Sequence, residues 1–136
     1  EVTYAHASAY EPQAWEYLRR PQQIRDCLAA TAAHVTFIGH VHVPAVFFLT
    51  ADDHLHEHNP ESGVPIQLAK DCRYVINVGS VGQPRDGNNA TGYALYDSNV
   101  GTVTLYRLAY DFLSAAAKIR AAGLSERFAE RLLRGE

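Results

Sequence analysis

The chain has 136 residues, 47% of them apolar, which suffices for one domain with its own core and is short for two. Twelve Lys and Arg against fifteen Asp and Glu leave a formal charge of −3 with the basic residues scattered, so no nucleic-acid footprint is indicated. No apolar run reaches the roughly 18 residues that cross a bilayer, and the two cysteines, Cys27 and Cys72, make no disulfide framework, so we expect a reduced, cytoplasmic protein without a membrane partner.

Taken in order, residues 2–8 alternate apolar and small side chains until Glu11-Pro12, which predicts a strand running into a loop, with His6 near the strand end. From Pro21 the spacing becomes helical: Ile24, Cys27, Leu28 and Thr31 share a face, predicting a helix over 21–33 that starts at a proline. His34 then stands at the C-terminus of that helix, where its charge suits the dipole, and Cys27 is a core residue. Val35-Thr36-Phe37-Ile38 is a β-branched and aromatic run before Gly39, the pattern of a buried strand. Residues 45–50 predict another strand and Asp52-Asp53 a turn; 54–70 read as an edge hairpin or an irregular insertion. A strand over 73–78 leads into the long loop Gly79–Gly87, and 92–97 with 102–110 predict a hairpin. Asp111 caps a helix that Gly123 stops, and Ser125 caps a last short helix.

Histidine carries the chemistry. Seven histidines are present, and three of them stand where strands end, the place layered α/β folds display their reactive groups. In Gly39-His40-Val41-His42, two imidazoles two residues apart on an extended segment lie on one side with Cα atoms about 6.6 Å apart. Paired hydrolytic ions lie about 3.5–4 Å apart and imidazole bonds run about 2.0–2.1 Å, so His40 can serve one ion and His42 its neighbour. Gly39 would let the backbone turn sharply beside them. The alternative is that both are ordinary half-exposed side chains. His54, His56 and His58 repeat the spacing in a polar, proline-bounded stretch without apparent supporting groups, and no metal role is expected there. Arg85 is either a bidentate phosphate donor or a solvent-facing turn residue.

His6-Ala7-Ser8, Gly39-His40-Val41-His42-Val43-Pro44, the run Asn77-Val78-Gly79-Ser80-Val81-Gly82-Gln83-Pro84-Arg85-Asp86-Gly87 and Tyr93-Ala94-Leu95-Tyr96-Asp97 occur in that order. Together they resemble the calcineurin-like metallophosphoesterase superfamily, in its small prokaryotic, diadenosine-tetraphosphatase-like phosphodiesterase branch. The resemblance covers essentially the whole chain. It implies that His6 and His40 are ligands of one ion and His42 of the other. Ala7 replaces the usual Gly, Val41 the usual Thr and Val78 a frequent Pro, none of them a ligand. The family's earlier motifs, Asp-x-His, Gly-Asp and Gly-Asn-His-Asp/Glu, which supply the carboxylates and the histidine assisting the leaving group, have no counterpart here.

The resemblance therefore implies an α+β fold, part of a two-sheet αββα sandwich with mixed sheets and flanking helices, of which this chain supplies mainly one sheet. The chain would be the C-terminal portion of a longer metallophosphoesterase, as the opening inside a strand and the absence of methionine also suggest. The parent would hydrolyse a phosphomonoester, phosphodiester or nucleotide polyphosphate with water activated by two divalent ions (Mn, Fe, Zn or Ni), and this chain alone would be inactive. A non-catalytic binding or regulatory module that keeps a remnant of the metal site is the alternative. Apolar surface meant for the absent half would be covered by self-association.

Overall fold

The computed structural model describes all 136 residues, Glu1–Glu136. Eight strands form two sheets. β1 (Val2–Tyr4), β2 (Val35–Ile38), β3 (Ala45–Leu49), β4 (Leu55–His58) and β6 (Arg73–Asn77) make a mixed sheet in the order β1-β2-β6-β3-β4. β5 (Ile66–Gln67), β7 (Thr91–Asp97) and β8 (Thr102–Leu108) make an antiparallel sheet in the order β5-β8-β7. The fold is α+β with two sheets, as expected. The chain does not, however, supply mainly one sheet, because the hairpin β7-β8 and the two-residue β5 assemble a second one across the first.

Side-chain alternation along the large sheet decides what each face packs against. Val35 and Phe37, Tyr74 and Ile76, and Val46 point inward, where they meet Val103 and Leu105 of the second sheet together with Leu68 and Cys72. Ile38 and Val75 point outward and meet Leu18 and the face of α1 (Pro21–Ala29) formed by Ile24, Cys27 and Leu28. Both faces of the central strands are therefore covered, which is why β2 reads as an unbroken buried run. Burying Ile24 or Leu28, each 1% exposed, contributes about 1.5–3 kcal/mol apiece.

Helix α1 begins at Pro21, as the sequence predicts, and Gln23 secures its start: the side-chain oxygen of Gln23 accepts from the backbone N–H groups of Arg19 and Arg20 at 3.1 and 2.9 Å. The helix ends at Ala29, short of residue 33. Arg73 reaches from β6 to donate to the carbonyls of Leu28 and Thr31, taking up groups that another helical turn would have used. Thr31 thus leaves the apolar face, and its hydroxyl pairs with Thr3 at 2.9 Å. His34 consequently lies beyond the reach of the helix dipole, which fades within the last turn. Its Nε2 instead sits 2.9 Å from the carbonyl oxygen of Ala69.

β1 stops at Tyr4, earlier than residue 8, because the chain turns across the end of the sheet, where Ala7 and Ser8 are buried. A 3₁₀ turn at Pro12–Ala14 follows, flanked by Glu11 and Trp15 in the left-handed region. Residues 54–70 divide between the sheets: Leu55–His58 forms an edge hairpin with β3, and Ile66–Gln67 crosses to β8. α2 (Phe112–Ala121) and α3 (Glu126–Arg134) pack as a helical hairpin. Gly135 caps α3 at φ 70° and lies so close to Asn88 that a Cβ there would come within 2.7 Å of its backbone. Ser125 occupies the N-cap position of α3 without a side-chain cap bond, so the expected cap is absent there.

Asp111 does cap α2, accepting from the backbone N–H of Ser114 at 2.9 Å and from its hydroxyl at 2.6 Å. Hydrogen bonds from the Ser114 side chain, then from its backbone, hold the carboxyl below the ordinary aspartate range. A depressed carboxyl stabilises the fold at neutral pH, and that contribution is lost as pH falls below about 3.9. Thermal melts followed by circular dichroism should show Asp111→Ala lowering Tm at pH 7. Asp111→Asn should keep most of the cap while flattening part of the acid loss. An unchanged Tm for Asp111→Ala would show that the cap is idle.

Candidate active site

β1, β2 and β6 are neighbours and parallel, with Val2 opposite Val35 and Val35 opposite Tyr74, so their C-terminal ends open on the same side of the sheet. Ligands of open α/β sheets bind outside the carboxyl ends of parallel strands. Here those ends deliver His6 two residues after β1, His40 and His42 just after β2, and the Gly79–Gly87 loop just after β6. The pairing continues past the strands: Ala5 N–H donates to the Phe37 carbonyl at 3.0 Å, Gly39 N–H to that of His6 at 2.9 Å and Val78 N–H to that of Ile38 at 3.0 Å. Asn77, 2% exposed, fixes the junction, since its amide donates to the Gly39 carbonyl at 2.9 Å and its oxygen accepts from Gly79 N–H at 3.0 Å.

His6 and His40 meet directly, with Nε2 of His6 3.0 Å from Nδ1 of His40. His42 lies in the same cavity, about 800 Å³ in volume, with Ser80, Tyr93 and Tyr96 on its other walls. Nδ1 of His42 is 2.8 Å from the carbonyl oxygen of Gln83. A carbonyl only accepts, so Nδ1 carries the hydrogen and Nε2 of the neutral ring presents its lone pair. Metal-binding histidines are oriented by this kind of bond.

The geometry that brings these rings together differs from the extended His-x-His segment expected. His40 and His42 both lie in the left-handed region, at φ 60° and 64°, and Val41 N–H bends back to the Gly39 carbonyl. Gly39 does not make the turn, having an ordinary φ; the histidines make it themselves. Each non-glycine residue in that conformation costs about 1–2 kcal/mol, and such strain collects where a site fixes side-chain direction. Burial, followed for His40 by the charge of His6, lowers the His40 pKa, and burial again leads in lowering that of His42. Arg85 adds to the lowering at both rings.

Arg85 sits beside the imidazoles. Its backbone N–H donates to the His42 carbonyl at 3.1 Å, and its guanidinium donates to Oε1 of Gln83 from Nη2 at 2.8 Å and from Nε at 3.2 Å. The half-buried guanidinium is thus oriented by a neighbour of the site, unlike a free turn residue. His54, His56 and His58 stand apart: His54 pairs with Asp52, and His56 stacks on Phe48 at 4.8 Å.

Two nitrogens 3.0 Å apart fit two ligands of one ion with bonds of about 2.0–2.1 Å. No third His, Cys, Asp or Glu completes that pair, and no carboxylate lines the cavity. The residues present therefore fit two ligands of one divalent ion and a third imidazole held ready beside it, short of a full coordination shell. Trp15 and Tyr17, which the sequence reading passed over, lie beside this pair of rings. The Trp15 ring lies 4.9 Å from that of His6, and the Tyr17 ring 4.2 Å from that of His40. The available signal was a single tryptophan in a polar stretch between a strand and a helix.

No family model matches the chain. An uncharacterized protein of Methanocaldococcus jannaschii is 36% identical over 135 residues, covering 99% of this chain and 52% of that protein. The crystal structure of a metallophosphoesterase from Sphaerobacter thermophilus superposes with a TM-score of 0.88 at 33% identity, over 99% of this chain and 55% of that one. A hypothetical protein of Pyrococcus horikoshii OT3 shares the fold, with a TM-score of 0.69 at 16% identity, over 100% of this chain and 47% of that one. The chain spans about half the length of the proteins it matches. The fold is similar to that of a metallophosphoesterase crystal structure.

Two measurements check this site. Gly79 has φ 82°, and a Cβ there would lie 2.9 Å from Cγ of Pro44. Gly79→Ala should cost about 1–3 kcal/mol in urea unfolding; a cost near zero would mean that the loop relaxes freely. The imidazole signals of His40 and His42 should titrate by NMR below the ordinary value of about 6.5. Because their charged forms are disfavoured in the fold, stability falls as pH drops below that value. Midpoints above it would contradict the burial seen here.

Proposed function

We propose that this chain carries the histidine half of a metal-dependent phosphoesterase, acting as part of a longer parent protein. His6 and His40 share one divalent ion, and His42 serves its neighbour. The ions, when bound, polarise the phosphoryl oxygens and lower the pKa of an attacking water. The observation that carries this reading is the 3.0 Å approach of His6 to His40, with His42 in the same cavity at the carboxyl ends of parallel strands.

The chain's own residues have separable tasks. Lowered pKa values keep His40 and His42 neutral near pH 7, the form in which imidazole binds metal. The Gln83 carbonyl holds His42 in the tautomer that presents Nε2. Arg85 offers its guanidinium to a phosphate oxygen, as a planar fork suited to bidentate contact. Carboxylate ligands, needed to offset the charge of two ions, come from the remainder of the parent protein, so this chain by itself is inactive. The likeness to a metallophosphoesterase of Sphaerobacter thermophilus supports the reaction class. Mn, Fe, Zn and Ni all suit imidazole donors together with carboxylates.

Titration calorimetry with Mn²⁺ or Zn²⁺ tests the metal assignment. One ion should bind each chain, and His40→Ala should abolish the heat while His58→Ala leaves it intact. Loss of binding with His58→Ala, or none with the unaltered chain, would overturn the site. In the parent-length protein, hydrolysis of bis(p-nitrophenyl) phosphate with Mn²⁺ should fall to near background on His40→Ala or His42→Ala, and the 136-residue chain alone should show no turnover.

A further inference from the structure

Along β8 the side chains on the inward face are Val103, Leu105 and then Arg107, two core residues followed by a charge. The Arg107 side chain is 14% exposed and donates from Nη2 to the carboxylate of Asp86, itself 22% exposed. Its Nη1 donates to the carbonyl of Ala90 at 3.0 Å. Taking two charges out of water costs about what their attraction returns, so an apolar side chain at 107 would serve the core as well. What the planar guanidinium adds is direction, because its fork holds a carboxylate and a carbonyl at once.

Asp86 and Ala90 belong to the connection from β6 to β7, residues 78–90, which has neither helix nor strand and carries glycines at 79, 82 and 87. No ladder fixes the shape of such a segment. Yet it grips His42 twice: the Gln83 carbonyl accepts from Nδ1 of the ring at 2.8 Å, and Arg85 N–H donates to the His42 carbonyl at 3.1 Å. Asp86 follows Arg85 directly, so its anchor bears on both contacts. On the other side of Gln83, the Tyr110 hydroxyl donates to the Gly82 carbonyl at 3.2 Å. Arg107, which does not line the cavity of the three histidines, is thus joined to one of them through the loop.

We infer that Arg107 is a positioning residue for His42: through Asp86 and Ala90 it sets the loop whose Gln83 carbonyl fixes the tautomer and aim of the ring. This rests on the phosphoesterase reading only in taking His42 as a metal ligand, and it adds a residue of the second sheet to that site. Loss of the bond that orients a histidine ligand costs about 10–100-fold in metal affinity or activity.

Nitrogen NMR of the chain at pH 8, above the ordinary imidazole value of about 6.5, reads the neutral ring. His42 should carry its hydrogen on Nδ1 in the unaltered chain and shift toward the Nε2–H form in Arg107→Ala. Asp86→Ala combined with Arg107→Ala removes both partners and leaves no unpaired charge, so it folds even where the single variant does not, and it should shift His42 alike. Asp111→Ala weakens a helix cap elsewhere and should leave His42 as it is, which separates positioning from stability. In the parent-length protein, the Mn²⁺ needed for half-maximal hydrolysis of bis(p-nitrophenyl) phosphate should rise at least about tenfold in the double variant. An Nδ1–H ring persisting in the double variant, or an equal shift in Asp111→Ala, would overturn the positioning role. A shifted tautomer with an unchanged Mn²⁺ requirement would support it and count against His42 as a metal ligand. Absence of hydrolysis by the unaltered parent would count against the phosphoesterase reading alone, since the tautomer is read without metal or substrate.

Discussion

Three parallel strands in register are the constraint on which the site depends. Because β1, β2 and β6 run the same way side by side, the segments that leave them emerge on one edge of the sheet, and each inherits a fixed spacing from its neighbour. The ladder does not stop at the last strand residue. Hydrogen bonds from Ala5, Gly39 and Val78 carry it into the connecting loops, and buried Asn77 ties the Gly39 carbonyl to Gly79 N–H. An asparagine can bridge a donor and an acceptor at once, which neither an apolar residue nor a carboxylate could do here. The imidazoles are therefore placed by backbone geometry and only then adjusted by their own contacts.

That placement is accompanied by local strain. His40 and His42 both take left-handed backbone conformations, and Trp15 takes a third. The Trp15 ring lies against those of His6 and His40. The strain is sustained by the two cores behind it: the inter-sheet core of Val35, Phe37, Ile76 and their partners, and the α1 core of Ile24, Cys27, Leu28 and Leu18. The chain carries both cores itself, so the scaffold behind the three imidazoles is its own. The cavity walls offer imidazole, hydroxyl and phenol groups but no carboxylate, so the chemistry available from these residues alone is neutral-donor binding rather than a charge-balanced binuclear centre.

Much of this was legible in the residues. Buried strands without alternation, such as Val35–Ile38, declare themselves by β-branched and aromatic runs, and Pro21 and Asp111 mark helix starts because their chemistry is local. Helix and strand ends were less legible where a distant residue decided them. Arg73 lies far along the chain from Leu28, yet its guanidinium occupies the carbonyls that would have continued α1. The extended reading of His40-Val41-His42 failed for a related reason, since its bend is imposed by the loops packed on either side.

By itself, the sequence determined the identity and order of the chemical groups: three histidines after strands, a glycine-rich loop after a buried strand, an arginine beyond it. These follow from local propensity and spacing, which each segment carries wherever it lies. Only the tertiary structure decided that His6 meets His40, that Gln83 sets the tautomer of His42, that a second sheet closes the core and that Trp15 faces the imidazoles. Each of those is a contact between segments remote in sequence, and strand register and side-chain packing, which no single segment encodes, select it.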